Sequence, residues 1–221
     1  MKKVRILFSI CLSVCLGLLS AGVVLADGGK DYRVTITNLT HKQVVTPPLV
    51  ISHKSSYALF NIGQPAGEPL AALAEGGDTQ PLTALLGTLP DVYDFNVGTG
   101  PILPGQSQSI RIKAKGKSYK ITVAGMLATT NDAFFALKSA SLSKEKSGTY
   151  MVVAYDAGSE ANTELCEHIP GPPCGNQARM LTGAEGFVHV HRGIHGVGDL
   201  NEAAMDWNNP VVKVVIEKMD H

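Results

Sequence analysis

The sequence predicts an all-β fold, an antiparallel β-sandwich with one or two short helices in a long connection. Three observations predict it. Apolar and polar residues alternate over short runs, Gly, Pro and Asn separate those runs, and only residues 65–89 show helical spacing.

Tyr32, Val34 and Ile36 alternate with Arg33, Thr35 and Thr37, a half-buried strand that ends at Asn38. Leu49-Val50-Ile51 follows a Pro-Pro pair, which suits an edge strand or a strand start. In 65–89, Leu70, Leu73, Leu82, Leu85 and Leu86 recur among alanines. Pro69 and Pro81 sit where first turns belong, and Gly76-Gly77 and Gly87 stop each piece. Ile110 and Ile112, then Tyr119, Ile121 and Val123, alternate on either side of Lys115-Gly116-Lys117, so 107–124 reads as a hairpin. A second hairpin joins Ala133–Leu142 to Thr149–Tyr155. Phe187–His191 and Val211–Ile216 complete eight or nine short strands.

The chain has 221 residues, 44% of them hydrophobic, with 19 basic and 19 acidic side chains, which excludes a disordered polyelectrolyte and a multi-span membrane protein. Residues 1–26 read as a Sec-type export signal. Lys2, Lys3 and Arg5 precede an apolar run, and Val24-Leu25-Ala26 offers a small residue for cleavage before Asp27. The run is long enough to span a bilayer, but the cleavage site that follows favours a secreted or periplasmic protein with no stable membrane insertion. A lipoprotein signal needs a Cys after small residues, whereas Cys11 and Cys15 follow Ile10 and Val14. Residues 27–221 then form a single domain with 16 basic against 19 acidic side chains, too acidic on average for a nucleic-acid binder. Two cysteines remain, Cys166 and Cys174, bracketing Glu-His-Ile-Pro-Gly-Pro-Pro. In an oxidising compartment they read as one loop-clamping disulfide; a Cys-Cys-His metal site using His168 has the wrong spacing for a zinc knuckle.

Enzymatic signatures are missing from the sequence: there is no Gly-x-Ser-x-Gly elbow, no phosphate-binding Gly-x-x-x-x-Gly-Lys loop and no His-Glu-x-x-His. Strand geometry is more informative. Asp132 precedes Ala133–Leu142 and Asp156 follows Thr149–Tyr155, so antiparallel pairing brings both to one rim. The turn at Gly158 returns Glu160 toward them. Three carboxylates at one rim repel unless a cation lies between them, and Ca2+ takes such hard oxygen ligands. The same residues also suit plain turns and caps.

Met126-Leu127-Ala128-Thr129-Thr130-Asn131-Asp132-Ala133-Phe134-Phe135-Ala136-Leu137 and Ala154-Tyr155-Asp156-Ala157-Gly158-Ser159-Glu160 resemble the spondin domain of extracellular matrix proteins, closest to its bacterial exported relatives. The likeness extends to Val34–Thr40, Leu59–Gly63 and Asn209–Ile216, nearly the whole of 27–221. It implies a sandwich similar to membrane-targeting C2 domains, with a calcium-type ion held by Asp132, Asp156 and Glu160. Glu160 stands where animal members usually carry Asp.

A rival constellation lies in Gly186–Gly196. His189 and His191 share a strand face and His195 returns through a glycine turn, an arrangement suited to zinc or copper. The His-Val-His run resembles the copper strand of copper/zinc superoxide dismutases, but only His221 follows His195, so the second histidine cluster is missing. Hydrogen bonding on a half-exposed face is the plain alternative. Lys113, Lys115, Lys117 and Lys120 read as a solvated turn, and Trp207 as a loop residue packed on the sandwich rim. Asn38-Leu39-Thr40 is a glycosylation sequon only in a eukaryotic secretory pathway. Together these features predict an exported calcium-binding recognition or adhesion module without catalytic activity, whose partner is an extracellular protein or glycan. The alternative is an envelope metalloenzyme, or transition-metal-binding protein, using His189, His191 and His195.

Overall fold

The computed structural model describes residues 28–115, 119–141 and 147–220; the signal expected at 1–26, residues 116–118 and 142–146 of the two expected turns, and His221 lie outside them. The alternation at the start of the chain builds strand β1 (Lys30–Asn38), in which Val34 and Ile36 are fully buried. On its outer face Thr35 and Thr37 pair hydroxyl to hydroxyl with Ser109 and Ser107, each at 2.8 Å. One face meets the core and the other meets water, hence the period of two.

The remaining strands are β2 (Leu49–Lys54), β3 (Val92–Val97), β4 (Ser107–Ala114), β5 (Tyr119–Met126), β6 (Ala133–Ser141), β7 (Ser147–Val152), β8 (Ala154–Asp156), β9 (His189–Val190) and β10 (Val212–Lys218). They form two antiparallel sheets, one ordered β4-β1-β10-β7 and the other β3-β2-β5-β6-β8-β9. Between the sheets, Val34, Ile36, Ile110, Ile112, Val212 and Val214 meet Val50, Ile121, Val123 and Phe135 in one core. The fold is the expected sandwich.

Two helices cover the other face of the six-stranded sheet. Helices α1 (Glu68–Gly76) and α2 (Gln80–Leu86) each carry Pro in the first turn, as their sequence predicts. Gly77 closes α1 in the left-handed conformation, φ 68°, and its N–H donates to Leu73 O at 3.0 Å. Leu70, Leu73, Leu82 and Leu86 pack on Leu49, Ile51 and Phe134 in a second core. Buried on both faces, β2, β5 and the start of β6 show runs of buried residues instead of alternation. A short third helix, α3 (Glu202–Met205), is capped by the Asn201 side chain, which accepts from Ala204 N.

Both expected hairpins are corrected by the pairing. β4 pairs with β1 and β5 with β2 and β6, so 107–124 crosses from one sheet to the other instead of folding on itself. The expected strand 149–155 divides at Val153: β7 joins β10, while β8 pairs with the start of β6. Such corners are a regular device of two-sheet packings, because one chain can then close both layers. Leu49 begins β2 as a strand start, but β3 lies outside it, so β2 is not the edge. β3 is not among the expected strands, although Tyr93, Phe95 and Val97 alternate with Asp94 and Asn96. Asp94 and Asn96 within it are residues that disfavour strands, and here they reach β4: Lys113 N donates to Asp94 Oδ2 at 2.7 Å and Asn96 Nδ2 to Arg111 O at 3.1 Å. The expected strand 187–191 shortens to two residues, because Val188 pairs with the loop at Gly63 and Gln64 instead.

Cys166 and Cys174 are joined, across a 3-10 turn at Cys166–His168. Closing so short a loop contributes about 2.5 kcal/mol in the chain-entropy model. Reduction is therefore expected to lower the urea midpoint measurably, and Cys166→Ser should become insensitive to reductant. An unchanged wild-type midpoint in reductant would contradict this role. Asn38 is fully buried, its Nδ2 donating to Gln43 O at 2.7 Å and Ile102 O at 2.9 Å, so the folded protein does not offer the sequon for modification. Among the described residues no helix is long and apolar enough to cross a membrane.

Candidate metal centre

Ala133 lies opposite Asp156 in the β6–β8 register, which places Asp132 and Asp156 together at one rim, as pairing of these segments predicts. The loop before β6 is buried from Leu127 to Asp132 and tied by its own side chains. Thr130 Oγ1 donates to Leu127 O at 2.7 Å and accepts from Ala133 N at 3.0 Å. Gln43 brackets Thr129, accepting from its N–H and donating to its carbonyl, at 3.2 and 3.3 Å. Asp132 then directs Oδ2 at the turn after β8, where it accepts from Ser159 N at 2.8 Å and Glu160 N at 3.0 Å. Its Oδ1 is buried without a partner. Burial, followed by the neighbouring Asp156 charge, pushes the Asp132 carboxyl up to about 8.

Asp156 is 1% exposed. Its Oδ1 accepts from Gly158 N at 2.7 Å, an Asx-type turn, and Gly158 itself takes a positive φ of 65°. Its Oδ2 accepts from Asn162 Nδ2 at 2.6 Å. The same Nδ2 reaches Glu185 Oε1 at 3.2 Å, so one amide holds both carboxylates. Burial raises the pKa of Asp156, the nearby Glu185 charge adds to this, and the bonds from Asn162 and Gly158 oppose it. Gly186 N donates to Gly158 O at 2.8 Å and brings the 185–189 segment against the turn.

Glu160 meets this site with its backbone only. Its carboxylate turns to the Arg179 guanidinium, 3.7 Å away, which also forms a two-bond pair with Glu75 at 2.6 Å per bond. Burial and the Glu75 charge push Glu160 up to about 7, against the pull of Arg179. The folded chain thus keeps a proton between the ordinary 4.5 and about 7 that the unfolded chain releases, and stability from this group falls as pH rises through that window. Glu160→Gln is expected to match wild type in thermal melts at pH 5 and to melt higher at pH 8. Equal pH dependence in the two proteins would exclude this assignment.

The three expected histidines take different places. His189 Nδ1 donates to its neighbour's carbonyl, Val190 O, at 3.0 Å, which leaves the Nε2 lone pair 3.7 Å from Asp156 Oδ1. His191 is buried against Trp207, ring centroids 5.1 Å apart, and its Nδ1 accepts from Gly193 N at 3.0 Å. The ring hydrogen therefore sits on Nε2, which is buried without a partner and 3.8 Å from Asp156 Oδ2. Burial is the largest cause that lowers His191 to about 3, so the ring is neutral. His195 is exposed; its backbone N–H donates to Glu164 Oε1 at 2.6 Å and its side chain lines a cavity of about 360 Å3 shared with Asp156, Asn162, Glu185 and His191.

Among the described residues, Asp156, Glu185 and His189 form a group that could hold a metal ion, one ligand atom from each lying within 4.8 Å of the others. Asp132 and Glu160 are outside it. Sequence reasoning did not reach Glu185 or Asn162. Glu185 stands four residues before His189 between small residues, a pattern that becomes a ligand pair only through the Gly186–Gly158 backbone contact. Trp207 packs on the rim as expected, 9% exposed. Compared with known proteins, the chain matches no family model and no curated protein.

Proposed function

We propose that this chain is an exported recognition module of the spondin type that holds a divalent metal ion at the Asp156 rim and has no catalysis of its own. One observation carries the reading: Asp156, buried beside Asp132, converges with Glu185 and His189 so that one ligand atom of each lies within 4.8 Å of the others. Two adjacent buried carboxylates oppose folding when both are charged, and a bound cation reverses that sign. Export is supported by the disulfide, which an oxidising compartment maintains. The ion orders the loops of the rim, and an extracellular protein or glycan is the partner they meet. Calcium is the ion that the spondin resemblance implies.

Elemental analysis and thermal melts test the metal. A ligand that binds only the native state at a hundredfold excess over its Kd stabilises by about 2.7 kcal/mol. Divalent metal should therefore raise the melting temperature by several degrees and chelator should lower it, with Asp156→Ala removing the response. Identical melts in metal and chelator, with no metal in the purified protein, would sink the proposal. The metalloenzyme alternative draws on one observation, the cavity of about 360 Å3 beside the ligands, which leaves room for a small molecule.

A further inference from the structure

We infer that the ion at this rim is a transition metal of the zinc class, bound by Asp156, Glu185 and His189 Nε2, and that calcium is selected against. The inference rests on the metal-binding reading above and adds the identity of the metal.

The oxygen supply comes first. Calcium takes six to eight oxygen ligands. Here Asp132 Oδ2 already accepts from two backbone N–H groups and from the Ser159 hydroxyl at 3.3 Å. Glu160 is turned to Arg179. Asp156 Oδ2 and Glu185 Oε1 share the Asn162 amide. Asp132 Oδ1 has no partner, but Asp132 lies outside the group that converges within 4.8 Å. Within that group the oxygens open to an ion are Asp156 Oδ1, which also accepts from Gly158 N, and the second oxygen of Glu185, one from each group. That shortage suits a four-coordinate ion and not a calcium shell.

The nitrogen comes second. The Val190 carbonyl can only accept, so it holds the His189 proton on Nδ1 and presents Nε2 as a bare lone pair. A ring fixed by a backbone carbonyl through its far nitrogen is the usual support for a metal-ligating histidine. The 3.7 Å between that Nε2 and Asp156 Oδ1 is close to the roughly 3.4 Å between two ligands each about 2.0–2.1 Å from a tetrahedral ion. Asn162 acts on both carboxylates as a positioning residue.

His191 is the independent sign of a ligand. It is 5% exposed, borders the cavity, and carries an unpartnered Nε2–H that lies 3.8 Å from Asp156 Oδ2, beyond hydrogen-bond reach. With Nδ1 committed to Gly193 N, it is a donor and not a metal ligand. Such a buried hydrogen lacks an acceptor oxygen, and a water carried by the ion supplies one.

Trp207 is the only tryptophan and lies against His191, so its fluorescence reports on the site. The chelator-treated protein, residues 27–221, is titrated with ZnCl2, CoCl2 and CaCl2. One Zn2+ per chain is expected, at least 100-fold tighter than Ca2+, with Co2+ quenching Trp207 and Zn2+ displacing it. His189→Ala and Glu185→Gln should each weaken Zn2+ at least tenfold, and His191→Phe should weaken it less than His189→Ala. Glu185 is exposed, so its variant tests the site even if His189→Ala folds poorly. Calcium binding tighter than zinc, with His189→Ala without effect, overturns the zinc assignment and leaves the metal module standing. Zinc binding unchanged in both ligand variants overturns it too. No binding of any of the three ions defeats both readings.

Discussion

Phe134→Ala is expected to lower stability by about 3–5 kcal/mol, the range for removing a fully buried aromatic ring. Phe134 and Phe135 are adjacent and point to opposite faces of β6, one into the helix-covered core and the other into the core between the sheets. The Phe134 ring meets Phe60 edge-on at 5.2 Å and Tyr155 at 5.7 Å, centroid to centroid. Truncation leaves a cavity under the strand pair that carries Asp132 and Asp156. For a domain of this size the melting temperature should fall by about 10 °C. Phe134→Leu should cost far less, since most of the volume is kept. A loss below about 1 kcal/mol for the alanine variant would mean that the second core is not the support described here.

Gly158→Ala should have the second largest effect, and it should act on the site. A Cβ at Gly158 overlaps the Phe187 carbonyl oxygen and comes within 2.7 Å of Phe187 N, and the positive φ adds strain of its own. Backbone cannot yield as a flexible side chain can. We expect a loss of about 2–4 kcal/mol together with at least tenfold weaker metal binding, because the 185–189 segment is forced off the turn. Gly175→Ala is the control. Its φ is 87° but nothing lies within 4 Å of the added atom, so it should cost about 1–2 kcal/mol and leave metal binding unchanged. Equal metal affinity in both variants would argue that Gly158 does not position the ligands.

The sandwich was legible wherever one strand face meets water, as in β1, where Thr35 and Thr37 stand opposite buried Val34 and Ile36. It was illegible at the corners. Nothing in the alternation of 107–124 or 149–155 tells a hairpin from a crossing between sheets, because both put the same residues inside. β3 escaped notice because Asp94 and Asn96 spend their polar groups on β4, a contact that only the folded chain creates. At the site, the meeting of Asp132 and Asp156 follows from register alone and could be read in advance. The direction of the Glu160 carboxylate could not, since it is set by Arg179, nineteen residues on, and by Glu75 on α1. His189 and His191 look equivalent in the sequence. Their backbone partners, a carbonyl for one and an N–H for the other, give them opposite hydrogen-bonding roles.

The pairing of β1 with β10 has a mechanical meaning. Tyr32 lies opposite Lys218 and Asn38 opposite Val212, so the outer ends of these neighbouring strands leave the sandwich side by side. Val212 also faces Val152, four residues before Asp156, which sets the rim toward the other end of the same strands. Force applied between Lys30 and Lys218 therefore loads the ladder as a zipper, one pair at a time from Tyr32–Lys218, and not in shear across all seven pairs at once. Single-molecule pulling from those two residues should give low, spread rupture forces, while a tether at one end alone leaves the Asp156 rim facing outward and unstrained.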